Sequence, residues 1–526
     1  MKVLISDKLP DIAVKILTSE PSITVDNKPG LAPDQLKAII GEYDGIIIRS
    51  GSKLTAEILE AATRLKAVAR AGVGVDNVDV KAASRKGIIV MNTPGGNTTS
   101  TAEHTWAMML ALARNIPQAY ASIKRGEWDR KSFTGTQLSG KTLGIIGLGR
   151  IGLEVAKRAI AFEMKVIAYD PYITPERAAQ LGIEMAALDA MWPRADFITV
   201  HTPITAETKG LIGAAQIAKM KDGVRLINCA RGGIIDEEAL ADAVQAGKVA
   251  GAAIDVFTSE PPTSRRLADL PHVVATPHLG ASTEEAQITV AIDAANQLVD
   301  ALTGRGVRFA VNMPTIDAQE VKVLEPYIHL AEKMGSLLRQ LGDGQLKAVE
   351  VCYTGDLAAI NVTPVTRSLT AGLLKPVLEE NVNLVNAPVL AAERGVAITE
   401  SRSSASGDFT TTIQVKMITD QGSHSVEGTL FGKNDPRIVN INGYHVEVMP
   451  RDTLLVILNQ DRPGLIGDIG RVMGKGGVNI SSMTFGRKQA GGDAMTVLNL
   501  DVRPTAAILD EVRKIENAHV VLAIEL

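Results

Sequence analysis

Short apolar runs recur along the first hundred residues, and each is followed by a stretch in which apolar positions return every three or four residues. Val3-Leu4-Ile5, Gly45-Ile46-Ile47-Ile48, Ala67-Val68-Ala69 and Ile88-Ile89-Val90 are the runs. Uninterrupted apolar runs set between helical segments mark strands buried on both faces, as in a parallel sheet. From Thr99 the spacing of Trp106, Met109, Leu110 and Ala113 predicts a helix that leads to a loop at Gly126-Glu127-Trp128, where the chain changes lobe. A second series follows: Leu143-Gly144-Ile145-Ile146, Val166-Ile167-Ala168, Phe197-Ile198-Thr199-Val200, Arg225-Leu226-Ile227-Asn228 and Gly251-Ala252-Ala253-Ile254-Asp255. It predicts a doubly wound sheet of about six strands.

Beyond Pro314 the rhythm changes. A long helix is expected near Leu324 to Leu341, followed by β-rich stretches such as Thr411-Thr412-Ile413-Gln414-Val415 and His445-Val446-Glu447-Val448. Residues 316–450 therefore read as a separate α+β domain. The remainder, 451–526, reads strand, helix, strand, strand, helix, strand, from Leu454-Leu455-Val456-Ile457-Leu458 to Val520-Val521-Leu522-Ala523-Ile524. That order is the split βαβ arrangement. The fold class expected is α/β: two doubly wound lobes followed by an α+β domain and a βαββαβ domain.

Composition narrows the partners. At 526 residues the chain exceeds what one hydrophobic core sustains, so several domains are required. The net charge of -4 comes from acids and bases spread along the chain, without the basic runs that would neutralise a phosphate backbone, so nucleic acid is not an expected partner. Cys229 and Cys352 are too few and too far apart for a disulfide framework or a metal cluster. No metal is expected. The segment after Met1 lacks a signal-type apolar core and no run is long enough to cross a bilayer, so a cytoplasmic protein without membrane contact is expected.

Gly147-Leu148-Gly149-Arg150-Ile151-Gly152 follows a predicted strand and opens a helix. Glycines there let the backbone approach a pyrophosphate at the helix N-terminus. Asp170 closes the next strand, where a carboxylate accepts hydrogen bonds from the ribose hydroxyls of an adenosine and repels a 2′-phosphate. The cofactor expected is NAD, with Gly147, Gly149, Arg150, Ile151, Gly152, Asp170 and Asp255 among its contacts.

Three segments after predicted strands carry groups suited to hydride transfer: Asn228 to Gly233, Asp255 to Pro262 and Thr276 to Gly280. Oxidising a secondary alcohol needs a base for the hydroxyl proton, and histidine suits that work near neutral pH. His278 takes that role, Glu260 is the carboxylate that favours and orients the imidazolium, and Arg231 is a planar fork for a substrate carboxylate. Each alone also reads as a surface charge, a helix-start acid or a buried histidine. Their shared placement after strands of one cofactor-binding sheet favours catalysis.

These motifs closely resemble the D-2-hydroxyacid dehydrogenase family across residues 1–315. The resemblance implies two Rossmann-like lobes with a cleft between them. It divides the chain into a discontinuous substrate-binding domain, 1–98 and 285–315, and a nucleotide-binding domain, 99–284. Arg49-Ser50, the phrase from Arg70 to Asn77 and that from Asn92 to Asn97 narrow the resemblance to the phosphoglycerate dehydrogenases of this family. It implies that Val73 and Gly74 meet the substrate carboxylate, that Arg49, Arg70 and Asn97 bind its polar and phosphate groups, and that Arg130 with Lys131 reaches a neighbouring subunit's site. A homodimer or homotetramer follows from it. The segments Asn459 to Leu465 and Gly477 to Ile480 resemble an ACT domain, which implies L-serine as effector held by Asn459, Asp461 and Asn479.

Within this reading 316–450 is an intervening regulatory domain and 451–526 the ACT domain. A second anion site is expected near Arg437, His445 or Arg451. The reaction implied is NAD-dependent oxidation of 3-phosphoglycerate to 3-phosphohydroxypyruvate, the opening of serine synthesis. Other 2-oxoacid reductases, such as those for glyoxylate, hydroxypyruvate or 2-oxoglutarate, share the catalytic trio, and NAD-sensing co-repressors share the core.

Overall fold

The computed structural model describes residues 1–314, 318–378, 381–404 and 408–526. Its first five strands, β1 (Lys2–Ile5), β2 (Thr24–Asn27), β3 (Gly45–Ile48), β4 (Ala67–Arg70) and β5 (Ile89–Met91), form a parallel sheet in the order β2-β1-β3-β4-β5. Ile46, Ile47 and Ile48 are all fully buried, as an uninterrupted apolar run requires when helices cover both faces.

The helix Thr98–Ala113 carries the chain out of this lobe. A second helix, Ile116–Lys124, then precedes the exposed loop around Trp128. The apolar spacing after Thr99 predicts a single helix running straight into that loop, so this helix is an addition to it. Pro117 stands in the first turn of that second helix, where its missing N–H costs nothing.

Seven parallel strands follow: β6 (Thr142–Ile146), β7 (Lys165–Tyr169), β8 (Glu184–Met185), β9 (Phe197–Val200), β10 (Val224–Asn228), β11 (Val249–Ile254) and β12 (Val273–Ala275). Their order is β12-β11-β10-β9-β6-β7-β8, so the sheet winds in opposite directions from β6. The reversal between β6 and β9 opens a crevice at the carboxyl ends of the strands.

The chain returns through the helix Glu284–Thr303, whose Val290, Ala294 and Leu298 join Val3, Ile5, Ile47 and Ala69 in one core. Truncating the fully buried Leu298 to alanine should cost about 2–5 kcal/mol. Asn312 then clasps the edge of the first sheet: its Oδ1 accepts from Val90 N at 3.0 Å and its Nδ2 donates to Ile88 O at 2.8 Å. The boundary expected at 315/316 lies outside the described residues.

The helix Ala318–Leu341 begins earlier than its apolar spacing suggested and carries Pro326 inside it. It covers a six-stranded sheet of β13 (Leu346–Thr354), β14 (Ala397–Ser403), β15 (Ile413–Thr419), β16 (Ser423–Phe431), β17 (Asp435–Ile441) and β18 (Tyr444–Val448). The order is β14-β13-β15-β16-β17-β18, with only the β13–β14 pair parallel.

The last four strands, β19 (Thr453–Gln460), β20 (Ile480–Arg487), β21 (Asp493–Leu500) and β22 (Ala518–Glu525), form an antiparallel sheet in the order β20-β21-β19-β22. One face, with Leu455, Ile457 and Leu498, packs under the helices Leu465–Lys475 and Ala506–Arg513. The other, with Leu454, Val456, Met495, Val497 and Ile524, enters the same core as Leu330, Met334 and Leu337 of the long helix. The strand alternation thus buries both faces, and the hydrophobic core runs unbroken across residue 450.

This half also docks on the first lobe. Asn383 Nδ2 donates to Gly87 O at 3.0 Å, Arg85 meets Glu393 at 3.3 Å, and Arg367 Nη1 donates to Asn312 O at 3.2 Å. A Cβ on Gly87 would stand 2.3 Å from Asn383 Nδ2. Among the described residues no helix is long and apolar enough to cross a membrane.

Candidate active site

The groups singled out in the nucleotide lobe follow strand ends. Gly147 follows β6 with φ 94°, a left-handed backbone that glycine adopts freely. A Cβ there would lie 2.7 Å from His201 O, and one on Gly152 would lie 2.0 Å from Gly147 O. Gly149, at the N-cap of the helix Arg150–Ala161, borders open space. Arg150 is exposed and Ile151 partly buried in the first turn of that helix. The loop is thus tight at its two ends and open in the middle, a cradle of bare backbone at a helix N-terminus.

Asp170 sits beside it, accepting Leu148 N and Tyr172 N at 2.8 Å each. Its carboxylate is held by backbone and faces the turn that it shares with the glycine loop. His201 and Thr202, after β9, complete the rim. Their Nδ1 and Oγ1 are buried without partners, and burial holds the His201 imidazolium down to about 4. Both follow a strand at the switch point, and that position is the signal in the sequence that marks them.

His278 follows β12. Its Nδ1 lies 2.8 Å from Glu260 Oε2, and Glu260 Oε1 accepts Phe257 N at 3.2 Å. Burial works to raise the Glu260 carboxyl, but the imidazole and the Phe257 N–H outweigh it and hold the group below its ordinary range. The His278 backbone has φ 57°, unusual for a residue with a side chain, and its N–H donates to Asp255 O at 2.8 Å.

Asp255, expected among the cofactor contacts, is fully buried. Its carboxylate accepts Thr276 Oγ1 at 2.6 Å, Leu279 N at 2.7 Å and Gly280 N at 2.9 Å, so it holds the His278 loop from beneath. Burial opposes its charge, yet His104, Thr276 and Leu279 N prevail and hold the carboxyl below its ordinary range, so it stays ionised.

Arg231, after β10, reaches across the cleft. Its Nε donates to Asp76 Oδ2 of the first lobe at 2.9 Å and its Nη1 to Ala230 O at 2.7 Å. A Cβ on Gly74 would stand 1.9 Å from Arg231 Nη2, so a side chain there would push the guanidinium from its place. Asp76 lies inside the phrase from Arg70 to Asn77, but its role shows only with the opposite lobe in place.

Arg70 folds back over Gly72, where a Cβ would fall 1.6 Å from Nη1. Its Nε is buried without a partner, and burial followed by the charge of Arg231 lowers its ionisation to about 10. Arg49 also opposes it, while Asp76 and Asp7 relieve it. Three guanidinium groups therefore crowd one partly buried cleft, an arrangement that an anionic ligand would stabilise. The backbone around Arg49 is fixed by Asp7, which accepts Arg49 N at 2.5 Å, and by Asn77, which donates to Arg49 O at 2.6 Å. The Val73 carbonyl accepts Asn92 Nδ2 at 2.5 Å, which fixes the peptide leading to Gly74. Asn97 is the N-cap of the helix Thr98–Ala113, with its Oδ1 buried and unpartnered.

The remaining candidates lie elsewhere. Arg130 and Lys131 are exposed in the segment after Trp128. Asn459 is buried at the end of β19, where its Oδ1 accepts Thr496 Oγ1 at 2.9 Å, and Asp461 is depressed by Arg487 at 2.9 Å and by Gly491 N. Asn479 instead donates to Asp501 at 2.8 Å, just beyond the far end of β21. Asn459 pairs with Ala494 and Ile480 with Leu500, so the two asparagines stand roughly 20 Å apart within one chain. Arg437 is held between Asp435 and Glu447 and stacks near Phe431. Both carboxylates offset its charge.

Residues 106–280 match the family described as D-isomer specific 2-hydroxyacid dehydrogenase, NAD binding domain. Residues 323–442 match the D-3-phosphoglycerate dehydrogenase intervening domain and 453–517 the ACT domain. A Synechocystis protein named D-3-phosphoglycerate dehydrogenase is 45% identical over 98% of this chain and 93% of its own length. One of the same name from Methanocaldococcus jannaschii is 44% identical over 100% of both chains. The crystal structure of a D-lactate dehydrogenase from Aquifex aeolicus, complexed with NAD and lactic acid, is 28% identical and aligns with a TM-score of 0.53 over 58% of this chain and 96% of its own.

Proposed function

Because the chain belongs to the D-3-phosphoglycerate dehydrogenases, within the D-isomer specific 2-hydroxyacid dehydrogenases, we propose that it oxidises the C2 hydroxyl of 3-phosphoglycerate to the ketone of 3-phosphohydroxypyruvate with NAD. The observation that carries this reading is the cluster of Arg49, Arg70 and Arg231 in one cleft, with Arg70 Nε lacking a partner among the described residues. A substrate bearing both a carboxylate and a phosphate supplies the charge that this cluster lacks.

The cofactor cradle fits NAD. Bare backbone at Gly149, the orphaned Thr202 Oγ1 and the carboxylate of Asp170 suit a pyrophosphate and an adenosine ribose without a 2′-phosphate. Gly147, Gly149, Arg150, Ile151 and Gly152 would hold it from the helix end. NAD, when bound, supplies the hydride acceptor.

Chemistry falls to three side chains. Arg231 holds the substrate carboxylate and polarises the oxygen at C2. His278 takes the hydroxyl proton at its free Nε2, because Nδ1 is committed to Glu260. Glu260, ionised at neutral pH, stabilises the imidazolium that results. The Val73–Gly74 backbone and Asn97 complete the substrate contacts, with Arg49 and Arg70 directed at its phosphate.

The domain limits that suit this reading are 1–98 with 285–315, 99–284, 316–450 and 451–526. The chain works as a homodimer or homotetramer in the cytoplasm. Ile116, Tyr120 and Ile123 form an exposed apolar stripe on the helix Ile116–Lys124, and Trp128 follows it. This exposed stripe, with Trp128 exposed just after it, supports burial against a second copy, which would also bring Arg130 to a neighbouring cleft. L-serine, acting through Asn459, Asp461 and Asn479, is the effector. A ligand touching both asparagines would need two copies, given their separation along the sheet.

The test is NADH formation from 3-phosphoglycerate and NAD, with and without L-serine. Activity that serine suppresses is expected. Activity that ignores serine would remove the effector assignment, and reduction of glyoxylate or 2-oxoglutarate without phosphoglycerate turnover would remove the substrate assignment.

A further inference from the structure

The helix Thr98–Ala113, on which the chain crosses between lobes, grips the His278 loop at three points. Ser100 Oγ and Thr101 Oγ1 donate to Gly280 O at 2.7 and 3.2 Å. One turn further along, His104 Nε2 lies 3.1 Å from Asp255 Oδ1 and 3.3 Å from Thr276 Oγ1. Cys229 stands close by, so that one ligand atom from each of His104, Cys229 and Asp255 lies within 4.8 Å of the others.

Such a trio could suggest a cation, but the proton pattern opposes it. The Asp255 oxygens already accept Thr276 Oγ1, Leu279 N and Gly280 N. Burial keeps the Cys229 thiol protonated. A metal would need the lone pairs that these contacts use. Facing an ionised carboxylate, His104 Nε2 must instead carry a proton and donate it.

We propose that His104 is a positioning residue for proton transfer, tying the crossing helix to the buried carboxylate that shapes the His278 loop. This rests on the assignment of His278 above. His278 sits at φ 57°, a backbone state that is unfavourable for a residue with a side chain and persists only where its surroundings impose it. Asp255 imposes it by fixing the next two N–H groups and, through its own carbonyl, the His278 N–H. Among the described residues His104 supplies the one ionisable donor to that carboxylate. Because it rides on the crossing helix, any rotation of the lobes about that helix is felt at the His278 ring.

The experiment compares His104→Ala, His104→Gln and His278→Ala in the full-length protein by kcat, substrate KM, NADH affinity from fluorescence, and thermal melting. His104→Ala is expected to lower kcat roughly tenfold or more, the worth of one hydrogen bond to a charged group. KM and NADH affinity should stay within about threefold. Glutamine places an N–H near the position of Nε2 and should restore most of kcat. Wild-type kcat in His104→Ala would overturn the proposal. So would equal losses in the Ala and Gln variants, matched by loss of NADH affinity, since the ring would then only fill space. Full turnover in His278→Ala would remove the premise itself, whereas an inactive His278→Ala beside a fully active His104→Ala would remove this inference alone.

Discussion

Arg231 and Asp76 meet across the cleft between the two lobes, Nε to Oδ2 at 2.9 Å, and the contact passes over the bare backbone of Gly74. The pair does two things at once. It orients the guanidinium, leaving Nη2 over the Val73–Gly74 backbone, and it offsets the repulsion between Arg231 and Arg70.

Gly74→Ala tests this arrangement. The added methyl collides with the far end of a flexible side chain rather than with backbone, so Arg231 moves and the fold does not. The melting temperature should change little, while kcat/KM for substrate falls at least tenfold, the loss of about 1.4 kcal/mol of transition-state binding. An alanine variant with native kcat/KM would show that Arg231 does not need its place over Gly74.

Replacing Glu260 by Gln keeps a hydrogen-bond acceptor beside His278 and removes the charge. Turnover should fall roughly 10²- to 10³-fold, because the imidazolium formed in the reaction loses its counter-ion, while NADH affinity holds. Steady-state kinetics and NADH fluorescence separate the two. Glu260 is held below its ordinary range, so its contribution is present above about pH 4.5 and is lost as pH falls through the depressed value.

His201 predicts an acid sensitivity of another origin. The unfolded ring takes a proton near pH 6.5, but the folded ring, desolvated by burial, takes it only near 4. Between these values the unfolded state binds more protons, so stability falls as pH drops from about 6.5 towards 4, by up to about 3 kcal/mol. Urea midpoints at pH 7.5 and 5 should separate for the native chain. His201→Gln should close part of that gap, and an unchanged gap would assign the acid sensitivity to other groups.

Tyr120→Glu places a charge on the apolar stripe of the helix Ile116–Lys124. Sedimentation should show the native chain as an oligomer and the variant as a smaller species, with its melting temperature nearly retained because Tyr120 is 63% exposed in the single chain. Equal sedimentation of both would move the interface elsewhere.

Much of this architecture was legible in the sequence because buried parallel strands announce themselves. Ile46-Ile47-Ile48 and Leu226-Ile227 could be little else, and a glycine turn or a polar residue just past such a run marks the ligand side of the sheet. Contacts across lobes were not legible. Asp76 is one acid in a loop until Arg231 arrives from 155 positions away, and His104 is one polar site on a helix until Asp255 lies beneath it. The helix Ile116–Lys124 was missed for a local reason: its outward stripe of Ile116, Tyr120 and Ile123 has no core to face within the chain. Around Arg437, spacing shows where cations gather and not which carboxylates fold back on them.

The unbroken core across residue 450 sets the timing of folding during synthesis. Ile524 of β22 sits in that core beside Met334, and Gln340 exchanges two hydrogen bonds with Glu525, donating at 2.8 Å and accepting at 3.2 Å. The long helix and the six-stranded sheet therefore leave the ribosome with an apolar flank still bare, which β19 and β21 begin to cover and the strand Ala518–Glu525 completes. A chain cut at 450 keeps that flank exposed and should collect in the insoluble fraction on expression. The regulatory half thus comes into being in one late event, after the catalytic lobes have already closed around their own cores.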